Sequence, residues 1–282
     1  MATSGKGATD GPSGNRRPRR PRRPRAPLRR CQNVSETFGV QDGLSASGLT
    51  GEQRRSIEEE GYVILPGVLS EEECDLLSRT VDEIWVDERL GETHSYEPGV
   101  RFVPNLLRYS TVFERCVAEP RVLEAVRAVL GPGIRLNRIL GRRSDPGHGN
   151  QPLHDLKRRR GRPFTKANTI WCLDAFTEVN GATRLIPGSH LSGEPFLSRC
   201  EDPLRAHPDE RLALAPRGSV VVHNSHLLHG GTLNRSDAPR RSIHTAYTTP
   251  EVPPHWGWDD LPPAVRRVLK PRTAELMGVP AH

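Results

Sequence analysis

The feature that most restricts this chain is a change of pattern at Ile134. From there the apolar residues come in short β-type runs, at 135–140, 168–173, 182–186, 219–223 and 242–247, separated by Pro, Gly and polar stretches. Many short strands with turn signals between them suit a closed or two-sheet β architecture and exclude a bundle. Upstream the period is helical. Thr50-Gly-Glu-Gln53 reads as a capping box opening a charged helix that stops before Gly61, and Tyr62-Val-Ile-Leu65 reads as a strand. Ser70-Glu-Glu-Glu73 is a second capping box, followed by Leu76, Leu77, Val81, Ile84 and Trp85 at helical spacing. A further helix is expected from about Pro120, with Gly131 past its end. The spacing thus predicts a mainly β core at 134–250, a helical flank at 48–133, and a C-terminal segment at 251–282 packed across the outside.

Charge is placed unevenly. The formal net charge is +7, but Lys6 and the nine Arg of the first thirty residues, set against Asp10 alone, put +9 there and leave −2 for the rest. Residues 1–47 are rich in Gly, Pro, Ser and Arg, and Pro at every third position of Arg16–Pro24 forbids a helix, so a disordered basic tail is expected. Such an arm can attract polyanions at low salt, but a folded body of opposite sign disfavours nucleic-acid binding as the main function. The five cysteines are scattered with no CxxC pair, which disfavours a structural zinc site and fits a reducing, cytoplasmic setting. No apolar run nears the roughly 18 residues of a membrane span. Arg outnumbers Lys 37 to 4, as GC-rich codon usage would produce, which hints at a bacterial source.

Within the β-rich half lie His154-Asp155, then His229 in Leu227-Leu-His-Gly-Gly231, then Arg240 eleven residues on. Two imidazoles and a carboxylate on one face are what an iron(II) site needs if three adjacent positions are to remain for a bidentate 2-oxo acid and dioxygen. An Arg in the same pocket can clamp the distal carboxylate of that acid through paired, charge-assisted hydrogen bonds.

These residues, together with Gln151-Pro-Leu-His154, Trp171-Cys-Leu-Asp-Ala-Phe-Thr177, Asn180-Gly-Ala-Thr-Arg-Leu-Ile-Pro-Gly-Ser-His190 and Asn234 with Pro239-Arg240, resemble the phytanoyl-CoA dioxygenase family. The likeness extends to the flanks Gly61-Tyr-Val-Ile-Leu-Pro66 and Leu261-Pro-Pro263, so it covers nearly everything except the tail. It implies a double-stranded β-helix of the jelly-roll, cupin-like kind, in one oxygenase domain at 48–282. It also implies the cofactors iron(II) and 2-oxoglutarate, with dioxygen and a small-molecule substrate as partners. The metal ligands implied are His154, Asp155 and His229, with Arg240 as the co-substrate clamp and Trp171 beside it. Asn137 is a further candidate for the same inner wall. The implied reaction is oxidative decarboxylation of 2-oxoglutarate coupled to hydroxylation, and secondary metabolism is the expected setting.

One departure from the family pattern matters. The family places its carboxylate two positions after the first histidine, whereas here Asp155 is adjacent and the expected position holds Leu156. On a strand, residues i and i+2 share a face and i and i+1 do not. Three outcomes stay open. A bulge or turn can rotate Asp155 back toward the metal. Alternatively no carboxylate binds, and the fold is kept as a weak metal site or as a degenerate member that acts as a binding scaffold. Or an anion takes the vacant place as in related halogenases, which bulky Leu156 disfavours. Asp145 and Asp174 are nearby carboxylates better suited to turn and strand-end roles.

Other candidates have plainer readings. His190 is expected to hold its loop, His223 to be structural and His226 to line the pocket, while His148 and His244 read as satisfied histidines. Arg241 competes with Arg240, but adjacent strand residues face opposite ways and the family spacing selects Arg240. Lys157-Arg-Arg-Arg160 reads as a solvated loop that can also meet an anionic substrate.

Overall fold

The computed structural model describes residues 48–86, 97, 99–156, 163–192, 202–255 and 261–279. The basic tail and the Lys157–Arg160 run therefore lie outside the described residues.

Helix α1 (Gly51–Arg55) is opened by Thr50, whose hydroxyl accepts from Gln53 N while the Gln53 side chain accepts from Thr50 N. It continues as a wider turn over Ser56–Glu60 and ends at Gly61 in the left-handed conformation (φ 87°). Helix α2 (Glu71–Val86) starts at the Ser70–Glu73 box, with both reciprocal bonds present. Helix α3 (Pro120–Leu130) has Pro at its first position and Gly131 after its last. Two short helices, α4 (Pro263–Arg266) and α5 (Pro271–Met277), lie in the expected C-terminal segment.

The strands are β1 (Tyr62–Leu65), β2 (Val100–Pro104), β3 (Arg135–Ser144), β4 (Lys166–Cys172), β5 (Thr183–Leu185), β6 (Arg211–Leu212), β7 (Val220–Asn224), β8 (His229–Gly231) and β9 (Arg240–Thr248). They form an antiparallel six-stranded sheet ordered β1-β7-β4-β9-β3-β2 and a three-stranded sheet ordered β6-β5-β8. This is the expected mainly β, double-stranded β-helix architecture with a helical flank. Strand β2 lies in the flank expected to be mainly helical, at five residues too short for periodicity to have announced it.

Alternation along the strands gives the large sheet two distinct faces. Ala167, Trp171, Val220, Val222, Ile243 and Tyr247 are buried in one core with Leu77, Val81, Leu123 and Val126 of α2 and α3. Ile170, Cys172 and Val221 turn the other way and pack with Phe176, Ala182, Leu185 and Leu227, which belong to the small sheet and its connections. That second face is the inside of the β-helix. A bulge between Leu136 and Arg138 inserts Asn137 and shifts the alternation of β3. As a result Leu136 and Ile139 both face the helices, and Arg138, Leu140, Arg142 and Ser144 face inward.

Candidate metal centre and co-substrate clamp

The glycines after His229 build the first part of the site. A Cβ on Gly231 would lie 2.6 Å from Gly149 O, and one on Gly230 would lie 3.1 Å from both Gln151 O and Pro152 O. Their absence lets the segment 149–154 lie against the outer edge of β8. Gln151 N donates to Gly231 O (2.9 Å), and Gly231 N donates to the Gln151 side chain (2.8 Å). His154 and His229 then face each other across an antiparallel bridge, each backbone N donating to the other's O at 2.9 and 3.0 Å.

Directly opposed residues share a face, and the two imidazole rings stand 4.3 Å apart, centroid to centroid. Each ring is oriented by its own chain. His154 Nδ1 lies 2.9 Å from Pro152 O, and His229 Nδ1 lies 2.7 Å from Leu227 O. A carbonyl only accepts, so both Nδ1 atoms carry a proton, and in a neutral ring so held the lone pair is on Nε2. This is how backbone groups orient metal-ligating histidines. Burial, then the neighbouring imidazoles, hold His229 well below the ordinary imidazole range and keep it neutral.

His223 belongs to this group and was missed. It lies on the inner face of β7 with its ring 4.4 Å from that of His229, and burial first of all pushes it down to about 4. Val221 packs inside and Val220 and Val222 outside, a parity that three consecutive valines do not reveal in the sequence. His190 and His226 instead flank Phe164, with ring centroids at 5.5 and 5.4 Å, and His190 packs under Gly61.

Asp155 is not gathered with the histidines. Among the described residues no group of three or more His, Cys, Asp or Glu side chains is arranged to hold a metal ion. The bridge at His154 and the bond from Leu156 N to Ser225 O (2.9 Å) keep this stretch extended, so adjacent side chains diverge. The other two carboxylates are engaged: Asp145 with Arg143 (2.7 Å), and Asp174 with Arg241 (2.8 Å).

Arg240 and Arg241 divide as strand alternation requires. Arg241 leaves the inner face, pairing with Asp174 and with Asp82 (2.9 Å). Arg240 is buried on the inner face, its guanidinium carbon 4.2 Å from the Phe176 ring centre. Its hydrogen bonds are to the Ser242 and Ser144 hydroxyls at 3.4 and 3.3 Å, its Nε has no partner, and no carboxylate among the described residues pairs with it. Arg142 beside it is paired with Glu97 (2.8 Å). Burial, then the like charge of Arg142, lower Arg240 to about 9. A buried guanidinium without a counter-ion, stacked on an aromatic face, is a receptor for a carboxylate.

Two expectations need correction. Trp171 does not line the interior. Ile170 and Cys172 point inward, so the indole points toward α2 and α3, where its N–H donates to Thr169 Oγ1 (2.9 Å). Asn137 is the bulge residue, and its side-chain amide donates to Pro253 O (3.1 Å), tying down the C-terminal segment rather than facing the clamp.

Comparison with known proteins places the chain in a family. The sequence model of "Phytanoyl-CoA dioxygenase (PhyH)" matches residues 57–242. Among characterised relatives, "Dioxygenase af480" of Aspergillus fumigatus is 28% identical over 240 residues, covering 79% of this chain and 75% of that protein. "Ectoine dioxygenase" of Bordetella parapertussis is 26% identical over 271 residues, covering 81% and 86%. In three dimensions the fold is similar to that of HygX from Streptomyces hygroscopicus, solved with nickel and 2-oxoglutarate bound. There the TM-score is 0.61 at 23% identity, covering 78% of this chain and 94% of that one. These relatives are named as dioxygenases, and the reading of a degenerate scaffold draws no support from them. No helix among the described residues is long and apolar enough to cross a membrane. The chain belongs to the phytanoyl-CoA dioxygenase family and is a non-haem iron, 2-oxoglutarate-dependent dioxygenase.

Proposed function

We propose that this dioxygenase hydroxylates an unactivated C–H bond of a small molecule, as a tailoring step of bacterial secondary metabolism. In this reading His154, His229 and Asp155 hold iron(II), and Arg240 holds the distal carboxylate of 2-oxoglutarate. The observation that carries the reading is the pair of opposed imidazoles with both Nδ1 atoms held by backbone carbonyls, set in the same β-helix as a buried arginine that has no carboxylate partner among the described residues. When bound, the metal and 2-oxo acid supply the oxidising chemistry. The chain's own residues do the rest. Backbone carbonyls of Pro152 and Leu227 fix both ring orientations, and burial keeps His229 neutral. The Phe176 ring, Ser144 and Ser242 hold the Arg240 guanidinium in place.

The test is succinate formation from 2-oxoglutarate with iron(II), screened against a library of small molecules for stimulation. His154→Ala and His229→Ala should lower turnover at least a thousandfold. An insertion of one residue between His154 and Asp155 discriminates the carboxylate. If the adjacent Asp155 is the ligand, the insertion abolishes activity; a large rise in activity would show that Asp155 does not bind the metal in the natural chain.

A further inference from the structure

The inner face carries a second cationic group at the end of the sheet away from Arg240. Register places Arg138 of β3, Ala246 of β9, Asn168 of β4 and His223 of β7 in one row across the large sheet. Lys166 is on the same face of β4, opposite Thr248. The Arg138 Nε is shut off from solvent without a hydrogen-bond partner, and so are the Asn168 Oδ1 and the Thr248 hydroxyl. Among the described residues neither Arg138 nor Lys166 has an acidic partner. This contrasts with Arg142, Arg143, Arg184, Arg217 and Arg241, all of which are paired with carboxylates.

Two neighbouring, partly buried cations with no counter-charge disfavour the folded state, and such an arrangement persists where a ligand supplies the missing anion. Burial, then Arg138, pushes Lys166 down to about 8, and burial also lowers Arg138. Ala246 is the smallest side chain in the row and separates Arg138 from Asn168, which leaves the two polar groups room to close on a shared guest. The row ends at His223, whose ring touches that of His229, so a molecule held here reaches toward the candidate metal ligands.

We propose that Arg138 and Lys166, with Asn168 and Thr248, form a subsite for an anionic group, a carboxylate or a phosphate, on the substrate of the dioxygenase reaction. This rests on the reading given under Proposed function. Asn168 Oδ1 would accept from an N–H or O–H next to that group, and the Thr248 hydroxyl would donate to it.

The experiment uses the full chain without metal, so that its failure and that of the oxygenase reading are distinguishable. Inorganic phosphate and acetate are titrated calorimetrically into an Arg240→Met background, which removes the other anion receptor. Saturable binding of one of them is expected, with at least tenfold weakening on adding Arg138→Met or Lys166→Met. Tighter phosphate points to a phosphoester substrate, and tighter acetate to a carboxylic acid. Arg138→Met alone should raise the melting temperature, because it removes an uncompensated charge. Absence of saturable binding, affinity indifferent to both substitutions, or a lower melting temperature for Arg138→Met would each overturn the proposal.

Discussion

Replacing Arg240 by Met should make the protein more stable and nearly unable to bind its co-substrate. In the structure this guanidinium makes two hydrogen bonds, both at 3.3 Å or longer, and has no carboxylate partner among the described residues. It is held under burial and beside Arg142, which together push it down to about 9. Exchanging an uncompensated buried charge for an apolar side chain of similar length gains about 1 to 4 kcal/mol. For a domain of this size each kcal/mol moves the melting temperature by about 2 to 4 °C, so a rise of roughly 2 to 16 °C is expected. The bound 2-oxo acid would lose two charge-assisted hydrogen bonds at about 1.5 to 3 kcal/mol each. Even with strong non-additivity this is about 3 to 4 kcal/mol, or a roughly 200- to 1,000-fold weaker Kd. Calorimetric titration of 2-oxoglutarate into nickel-loaded protein measures the second effect, and thermal unfolding of the metal-free protein measures the first. If the arginine were only structural, its loss would lower the melting temperature and leave 2-oxoglutarate affinity unchanged. Unchanged 2-oxoglutarate affinity, or a melting temperature that falls, refutes the assignment of Arg240 as the clamp.

Two further outcomes follow from particular contacts. Gly231→Ala would push a Cβ to within 2.6 Å of Gly149 O, backbone against strand; it should cost about 1 to 3 kcal/mol and displace the segment that carries His154. Thermal unfolding together with calorimetric nickel binding should show both losses, and a wild-type melting temperature would mean that the close approach is not needed. Lys166, which faces Arg138, His223 and His255, is lowered to about 8 from an ordinary 10.5. Between those values the unfolded chain holds more protons than the native one, so wild-type stability rises with pH there. Lys166→Met should therefore be the more stable protein below pH 8, by up to about 3 kcal/mol, and lose that advantage by pH 10.5; denaturant titrations that give a pH-independent difference would sink this reading.

The fold and most of the site could be read from the sequence because they rest on local rules. Both capping boxes, the Gly61 and Gly131 stops and six of the strands follow from residue chemistry within a few positions. The His229 to Arg240 spacing singled out Arg240 as the candidate clamp, and strand alternation required that Arg240 and Arg241 face opposite ways before any coordinates. What escaped depended on absolute parity, which needs one fixed reference per strand. Trp171 looked like an interior residue because a large aromatic suits either side of a sheet, and only Ile170 and Cys172 packing against Phe176 and Leu185 settle which side is inside. The bulge at Asn137 cannot be foreseen from composition, yet it turns Arg138 inward where unbroken alternation from Leu136 would have turned it out.

The same rule bears on the third ligand. Asp155 follows a residue locked into a two-bond bridge with His229, so rotating its carboxylate to the other face requires the backbone beyond the bridge to change course. One restraint there is the bond from Leu156 N to Ser225 O. Giving it up costs about one backbone hydrogen bond, roughly 1 kcal/mol. That is small beside the attraction between a carboxylate and a divalent cation, so metal binding can draw Asp155 in without disturbing the histidines. Hydrogen exchange at the Leu156 amide reads this directly: protection should fall when nickel binds, and protection that stays constant would leave Asp155 outside the coordination sphere.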